Sequence, residues 1–144
     1  MKGFALHFCF CDTRPMKFSL LVLSAPHSRQ ASQSALKFAQ TALANGHELY
    51  RVFFYQDGVH NASQLQSPPQ DETNLHDEWQ ALADTQGTDL VVCIAAALKR
   101  GILDADEAER YERPQHNLAK PFELSGLGQL LDAQLQSDRL ITFA

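Results

Sequence analysis

Asp89–Gly101 reads DLVVCIAAALKRG and changes character at its centre. Asp89–Ile94 is a short apolar run after the turn at Gly87, rich in valine, and predicts a strand buried on both faces. Ala95–Arg100 is helix-prone, and Gly101 stops it. A buried strand that runs straight into a helix is half of a β–α–β unit, so the flanking segments settle whether the unit repeats.

It does repeat. Upstream, Leu75, Trp79, Leu82 and Ala83 fall on one helical face of about three turns, which Gly87 ends. Glu48–Tyr55 (ELYRVFFY) is β-branched and aromatic enough for a strand stopped by Gln56, Asp57 and Gly58. Val59–Thr73, with Pro68-Pro69 and many small polar residues, is expected to be a long loop. In Gln30–Ala44 the residues Ala35, Leu36, Ala39, Ala42 and Leu43 share a face at 3.6 residues per turn, and Asn45-Gly46 closes that helix. Lys17–Leu23 is a buried strand, followed by the loop Ser24–Ser28 (SAPHS). Downstream, Asp104 with Glu107 forms a capping box that opens a helix over Ala105–Tyr111. Residues 112–123, with Pro114 and Pro121, are expected to be loop. Ser125–Gln136 is expected to be a helix with Leu127, Leu130, Leu131 and Leu135 inward, and Arg139–Phe143 a last strand. Alternation of this kind predicts an α/β fold, three-layer α/β/α with a central, mainly parallel sheet. There are no internal repeats.

Composition narrows the function. A chain of 144 residues hides about 70% of its unfolded surface and supports one core without staples. Hydrophobic residues at 44% and charged residues at 20% exclude disorder of the whole chain. Twelve Lys and Arg against 17 Asp and Glu leave a net charge of −5, with no basic stripe for gripping phosphates. Direct binding to nucleic acid is therefore excluded as an expectation. No apolar run approaches the ~18 residues of a membrane span. Cys9, Cys11 and Cys93 cannot all pair with one another, so at least one thiol is free, which points to a reducing, cytoplasmic setting. Residues 1–15 make a poor signal peptide, because His7 breaks the apolar stretch and no small-residue cleavage site follows. They are expected to be a disordered extension, with Met16 the natural start and residues 16–144 the domain. Cys9-x-Cys11 lacks further soft ligands, and no metal is expected.

In open parallel sheets chemistry gathers outside the carboxyl ends of the strands. Ser24–Ser28, Gln56 onward and Cys93 onward share that edge. The first of these loops has no glycine, and Pro26 has no N–H, so it makes no phosphate cradle and no nucleotide or flavin cofactor is expected. A Gly-x-Ser-x-Gly elbow is absent as well. Cys93 stands at the end of its strand, before a segment able to open a helix whose N–H groups face the sulfur. Thiols in such places ionise more readily, and the thiolate is the nucleophile. Free cysteine is also among the most buried residue types and often only fills space. Position leaves both readings open. Lys99 and Arg100 follow, and their approach to the sulfur depends on the fold. His27 is either a base or donor toward a sulfur anion or a surface loop histidine. The other histidines are scattered, Asp57-Gly58 reads most simply as a turn, and Trp79 as core.

Three segments carry a resemblance: FAQTALANGHELYRVFFYQDGVHNA (Phe38–Ala62), VCIAAALKRGILDADEAER (Val92–Arg110) and LSGLGQLLDAQLQSDRLITF (Leu124–Phe143). Together they resemble the DsrE/TusD family of sulfur-relay proteins over nearly everything from Met16 onward. The resemblance implies that Cys93 carries sulfur as a persulfide and that the chain works in a heterohexamer with TusB-like and TusC-like subunits. It implies a TusA-like donor, a TusE-like acceptor and a role in 2-thiouridine synthesis at the tRNA wobble position. A DsrE-type carrier in dissimilatory sulfur oxidation is implied equally. The resemblance departs in the first loop, where relatives resembling Gly-Pro-Ala-Tyr-Gly are matched by Ser24–Ser28. His27 stands there in place of a tyrosine, and both side chains can donate a hydrogen bond to a sulfur anion. A non-catalytic scaffold with an inert Cys93 and a flavodoxin-like ligand binder are the contrary readings.

Overall fold

Strand β1 (Lys17–Val22), helix α1 (Ala31–Ala44) and strand β2 (Glu48–Phe54) form the first β–α–β unit. A 3₁₀ helix (Gln56–Ala62), helix α2 (Leu75–Gln86) and strand β3 (Asp89–Cys93) form the second. Helices α3 (Ile94–Lys99) and α4 (Ala105–Arg110) lead to strand β4 (Phe122–Ser125), and α5 (Gly128–Gln136) leads to strand β5 (Arg139–Phe143). The computed structural model describes residues 14–144. Cys9, Cys11 and nearly all of the expected extension lie outside the described residues.

All neighbouring strands are parallel, in the order β4-β3-β2-β1-β5. The chain steps across the sheet from β1 to β4, then reverses to place β5 beyond β1. Right-handed crossovers keep the helices of the forward steps on one face and send the helix of the reversed step to the other. Accordingly α1 and α2 pack together, while α5 lies across β1, β2 and β5. This is the expected three-layer α/β/α fold. The core on the α2 side is aromatic: Phe54 meets Trp79 edge-to-face at 5.5 Å and Phe122 at 5.7 Å. No helix among the described residues is long and apolar enough to cross a membrane.

Helix boundaries follow local chemistry. The Asn74 side chain accepts from the N–H groups of His76 and Asp77, and Gly87 ends α2 in a left-handed conformation at φ 69°. Asp104 Oδ1 accepts from Glu107 N–H at 2.9 Å, which is the anticipated N-terminal cap of α4.

Three expectations need correction. The loop expected over Val59–Thr73 begins inside the 3₁₀ helix, which buries Val59, Asn61 and Ala62. Asn61, one of its small polar residues, is sealed in that helix, where its amide donates to the carbonyls of Ser24 and Gly58 and to Ser32 Oγ. The loop expected over 112–123 ends in β4, whose four residues FELS show no period, although Phe122 is buried and Cys93 pairs with Ser125. The helix therefore starts at Gly128 rather than Ser125.

The third correction is the facing of α5. Leu127, Leu131 and Leu135 point outward, 51%, 61% and 72% exposed; Leu130 is partly buried, and Ala133 is sealed against the sheet. A β-bulge is the cause. Phe18 pairs with Leu49 but Ser19 with Arg51, leaving Tyr50 as an extra residue. Bulges re-aim side chains, and Tyr50 Oη and Arg51 Nη1 both reach Asp132 Oδ2 on α5, at 2.8 and 2.7 Å. Arg51 also donates to Asp89 Oδ2 at 2.7 Å and to the Gln129 carbonyl. A buried guanidinium requires such partners. Burial alone would lower the Arg51 pKa, but the bonds to Asp89 and Asp132 outweigh it and raise it. Meeting that demand turns the Asp132 edge of the helix to the sheet and three leucines to the outside.

Candidate functional site

Cys93 ends β3 and is the N-cap residue of α3, with extended backbone at φ −61°, ψ 114°. Pairing with Ser125 of β4 holds it at the carboxyl edge of the sheet, one residue beyond the last pair with β2, Phe54 with Val92. Its side chain is 2% exposed, yet it lines an open cavity of about 280 Å³. The loops after β2, β3 and β4 meet there: Tyr55 and Gln56 come from the first, Lys99 and Arg100 from the second, Gly126 and Leu127 from the third.

Of the residues anticipated near the sulfur, Lys99 and Arg100 are brought to this cavity. Lys99 is exposed and carries no ion pair among the described residues. Arg100 is fixed: its Nε donates to Asp57 Oδ1 at 2.8 Å and its Nη1 to the Ala96 carbonyl at 3.2 Å. Hydrogen bonding from Arg100, ahead of the field of that guanidinium and of His60 and Arg29, holds the Asp57 carboxyl below the usual carboxylate range. Asp57 is therefore more than the turn residue expected from the sequence.

His27 is placed elsewhere. The first loop turns at this residue in a left-handed conformation, φ 63°, and its Nδ1 lies 4.0 Å from Glu72 Oε2. It lines a separate cavity with Arg29, Asp71 and Glu72 rather than the Cys93 cavity. The remainder of that loop, Ser24 and Ser28, borders a third cavity shared with Gln56 and Asp57. The three loops thus occupy one edge but not one pocket.

Sequence reasoning placed the loop from Gln56 at this edge but singled out none of Tyr55, Gln56, Gly126 and Leu127 as a site residue, and it took Leu127 for the inner face of a helix. Their residue types carry no nucleophile or metal signature, and they reach Cys93 from segments more than thirty residues away on either side. For Gly126 and Leu127 the available signal was that they fall in SGLGQL within the third resembling segment; for Tyr55 and Gln56 it was FFYQDGV and the place of that loop at the carboxyl edge. Gln56, like His27, has a left-handed backbone, φ 50°, uncommon for a residue other than glycine. Among the described residues no three His, Cys, Asp or Glu side chains gather as metal ligands.

The fold and the site together define a class: parallel α/β proteins that present a cysteine at the carboxyl end of a central strand, with two cationic side chains on the same cavity. The fold matches the E. coli YchN crystal structure, with a TM-score of 0.71 over 89% of this chain and 99% of that one, at 19% identity. Residues 16–143 match the DsrE/DsrF-like family, to which the chain belongs. The sulfurtransferase TusD homolog of Pseudomonas aeruginosa is 55% identical over 128 residues, covering 89% of this chain and 97% of that protein. The DsrE protein of Allochromatium vinosum is 48% identical (89% and 98%), and the sulfurtransferase TusD of Enterobacter sp. is 50% identical (89% and 100%). Relatives of this similarity make the chain a sulfurtransferase of the sulfur-relay type.

Proposed function

We propose that Cys93 is the sulfur carrier and that it holds its cargo as a persulfide. The observation that carries this reading is a thiol seated at the base of a cavity whose lining supplies Lys99 and Arg100. The Cys93 thiolate attacks the outer sulfur of a donor persulfide; the donor's S–S bond breaks, its cysteine leaves as thiolate, and Cys93 becomes Cys93–S–SH. An acceptor thiolate then attacks that outer sulfur and releases Cys93 as thiolate, so no net oxidation occurs. One cysteine is enough for both steps. The cations stabilise the anionic sulfur that each step produces.

In the fuller reading the donor is TusA-like and the acceptor TusE-like. The chain works in the cytoplasm beside TusB-like and TusC-like subunits, and the sulfur ends in 2-thiouridine of tRNA. The outward leucines of α5 support a multi-subunit setting, since an exposed apolar stripe beside a reactive cavity favours a protein partner. His27, facing Glu72 in a separate cavity, takes no part in this reading. The similarity to DsrE favours one second reading, a carrier in dissimilatory sulfur oxidation by the same chemistry.

Intact-mass analysis after incubation with glutathione persulfide tests the carrier. The expected result is a gain of one sulfur in the wild type and none in Cys93→Ser. An equal gain in both overturns the assignment and moves the chemistry to Cys9 or Cys11. Loss of 2-thiouridine in Cys93→Ser cells separates the tRNA reading from the oxidation reading.

A further inference from the structure

We infer that Asp57 is a positioning residue for sulfur transfer, holding the Arg100 guanidinium in the Cys93 cavity from a place outside it. This rests on the reading of Cys93 as carrier. Asp57 Oδ1 accepts from Arg100 Nε at 2.8 Å, yet Asp57 lines the neighbouring cavity and Arg100 the Cys93 cavity. The carboxylate therefore anchors the cation from behind, from a place outside the lining where anionic sulfur must sit.

The backbone next to the anchor is held on two sides. Gly58 N–H donates to the carbonyls of Leu23 at 3.0 Å and Tyr55 at 2.9 Å. A Cβ on Gly58 would stand 2.0 Å from the Val22 carbonyl oxygen, so the turn lies flush on the end of β1. From the other side the sealed Asn61 amide donates to the Gly58 carbonyl at 2.9 Å and to the Ser24 carbonyl at 3.2 Å. The left-handed backbone at Gln56 opens the 3₁₀ helix, whose first turn is thereby seated on the end of β1.

Arg100 has five N–H donors. One is used by Asp57 and one by the Ala96 carbonyl, so three remain for a guest in the cavity. Lys99 is exposed and has no ion pair among the described residues to fix it. An anion formed transiently is stabilised most by a charge already in place, because no reorganisation is needed at the moment of reaction. Removing Asp57 leaves Arg100 in the chain but releases its long side chain to many rotamers.

The test is a double-mutant cycle on the rate at which Cys93 gains sulfur from glutathione persulfide, in Asp57→Asn, Arg100→Gln and the double variant. Circular dichroism melts set a temperature at which every variant is folded. Each single change is expected to slow transfer roughly tenfold, and the double to be no slower than Arg100→Gln alone. Asp57→Glu, which restores the carboxylate, is expected to recover most of the rate. Two outcomes overturn the inference: Asp57→Asn transferring at the wild-type rate, or the two single effects multiplying in the double variant, as a merely structural role would produce. Cys93→Ser run alongside separates the two levels. Sulfur gained by that variant removes the carrier reading and this inference with it, whereas a silent Cys93→Ser with an unslowed Asp57→Asn removes this inference alone.

Discussion

Cys93 is almost fully covered and still borders open space, a combination that fits a thiol protected from bulk oxidants and open to a protein guest. What keeps it there is backbone: Ser125 of β4 pairs with it, β2 pairs with its strand up to Val92, and α3 begins directly after it. The residue with least latitude near the site is Gly58, where the objection to a side chain is the rigid Val22 carbonyl rather than a flexible neighbour. Gly58→Ala is accordingly expected to destabilise the fold by about 1–3 kcal/mol, the usual penalty for forcing a methyl into closed space. Urea denaturation measures this, and an unchanged midpoint would show that the turn yields freely. The cysteine and its following cations could be read from residue types in a row, since a strand passing into a helix places them together. His27 could not, because a single left-handed residue decides which cavity its ring enters.

At the scale of elements α5 is the instructive case. Apolar periodicity selects Leu127, Leu130, Leu131 and Leu135 as its inner face; Leu130 packs against the core, but with Asp132 bound to Arg51 the other three face outward. In the isolated chain Leu131→Gln and Leu135→Gln should each shift stability by no more than about 0.5 kcal/mol, as exposed substitutions do. Leu90→Ala, at a fully buried position of β3, should cost about 2–5 kcal/mol. Thermal or chemical unfolding distinguishes the three, and a large loss at Leu131 would mean that the helix sits differently on the sheet. β4 escaped notice for a related reason: four residues with one buried side chain contain no pattern, and pairing with β3 is what makes them a strand.

Across the whole molecule, stability at acid pH depends on carboxylates tied to arginines. The Tyr50 hydroxyl, followed by Arg51, holds the Asp132 carboxyl below its ordinary value of 3.8, and Arg100 does the same for Asp57. Groups of lowered folded pKa contribute stability that is complete above the unfolded value and lost as pH falls through the folded one. Unfolding free energy should therefore begin to decline below pH 3.8 from these two groups, and Tyr50→Phe should make that decline shallower. Denaturant titrations on either side of that pH check it; an equally steep decline in the variant would remove Asp132 from the account. The alternation of strands and helices, the parallel sheet and the location of the thiol at a strand end were all encoded locally. Periodicity and turn residues act over a few positions, and right-handed crossovers leave little choice of topology. Which loops share a cavity, which face of α5 looks outward and which carboxylate anchors which guanidinium depended on contacts between residues forty or more positions apart, such as Asp57 with Arg100 and Arg51 with Asp132. Such pairs leave no trace in either segment alone, because a buried charge is satisfied by whatever the completed fold brings within reach.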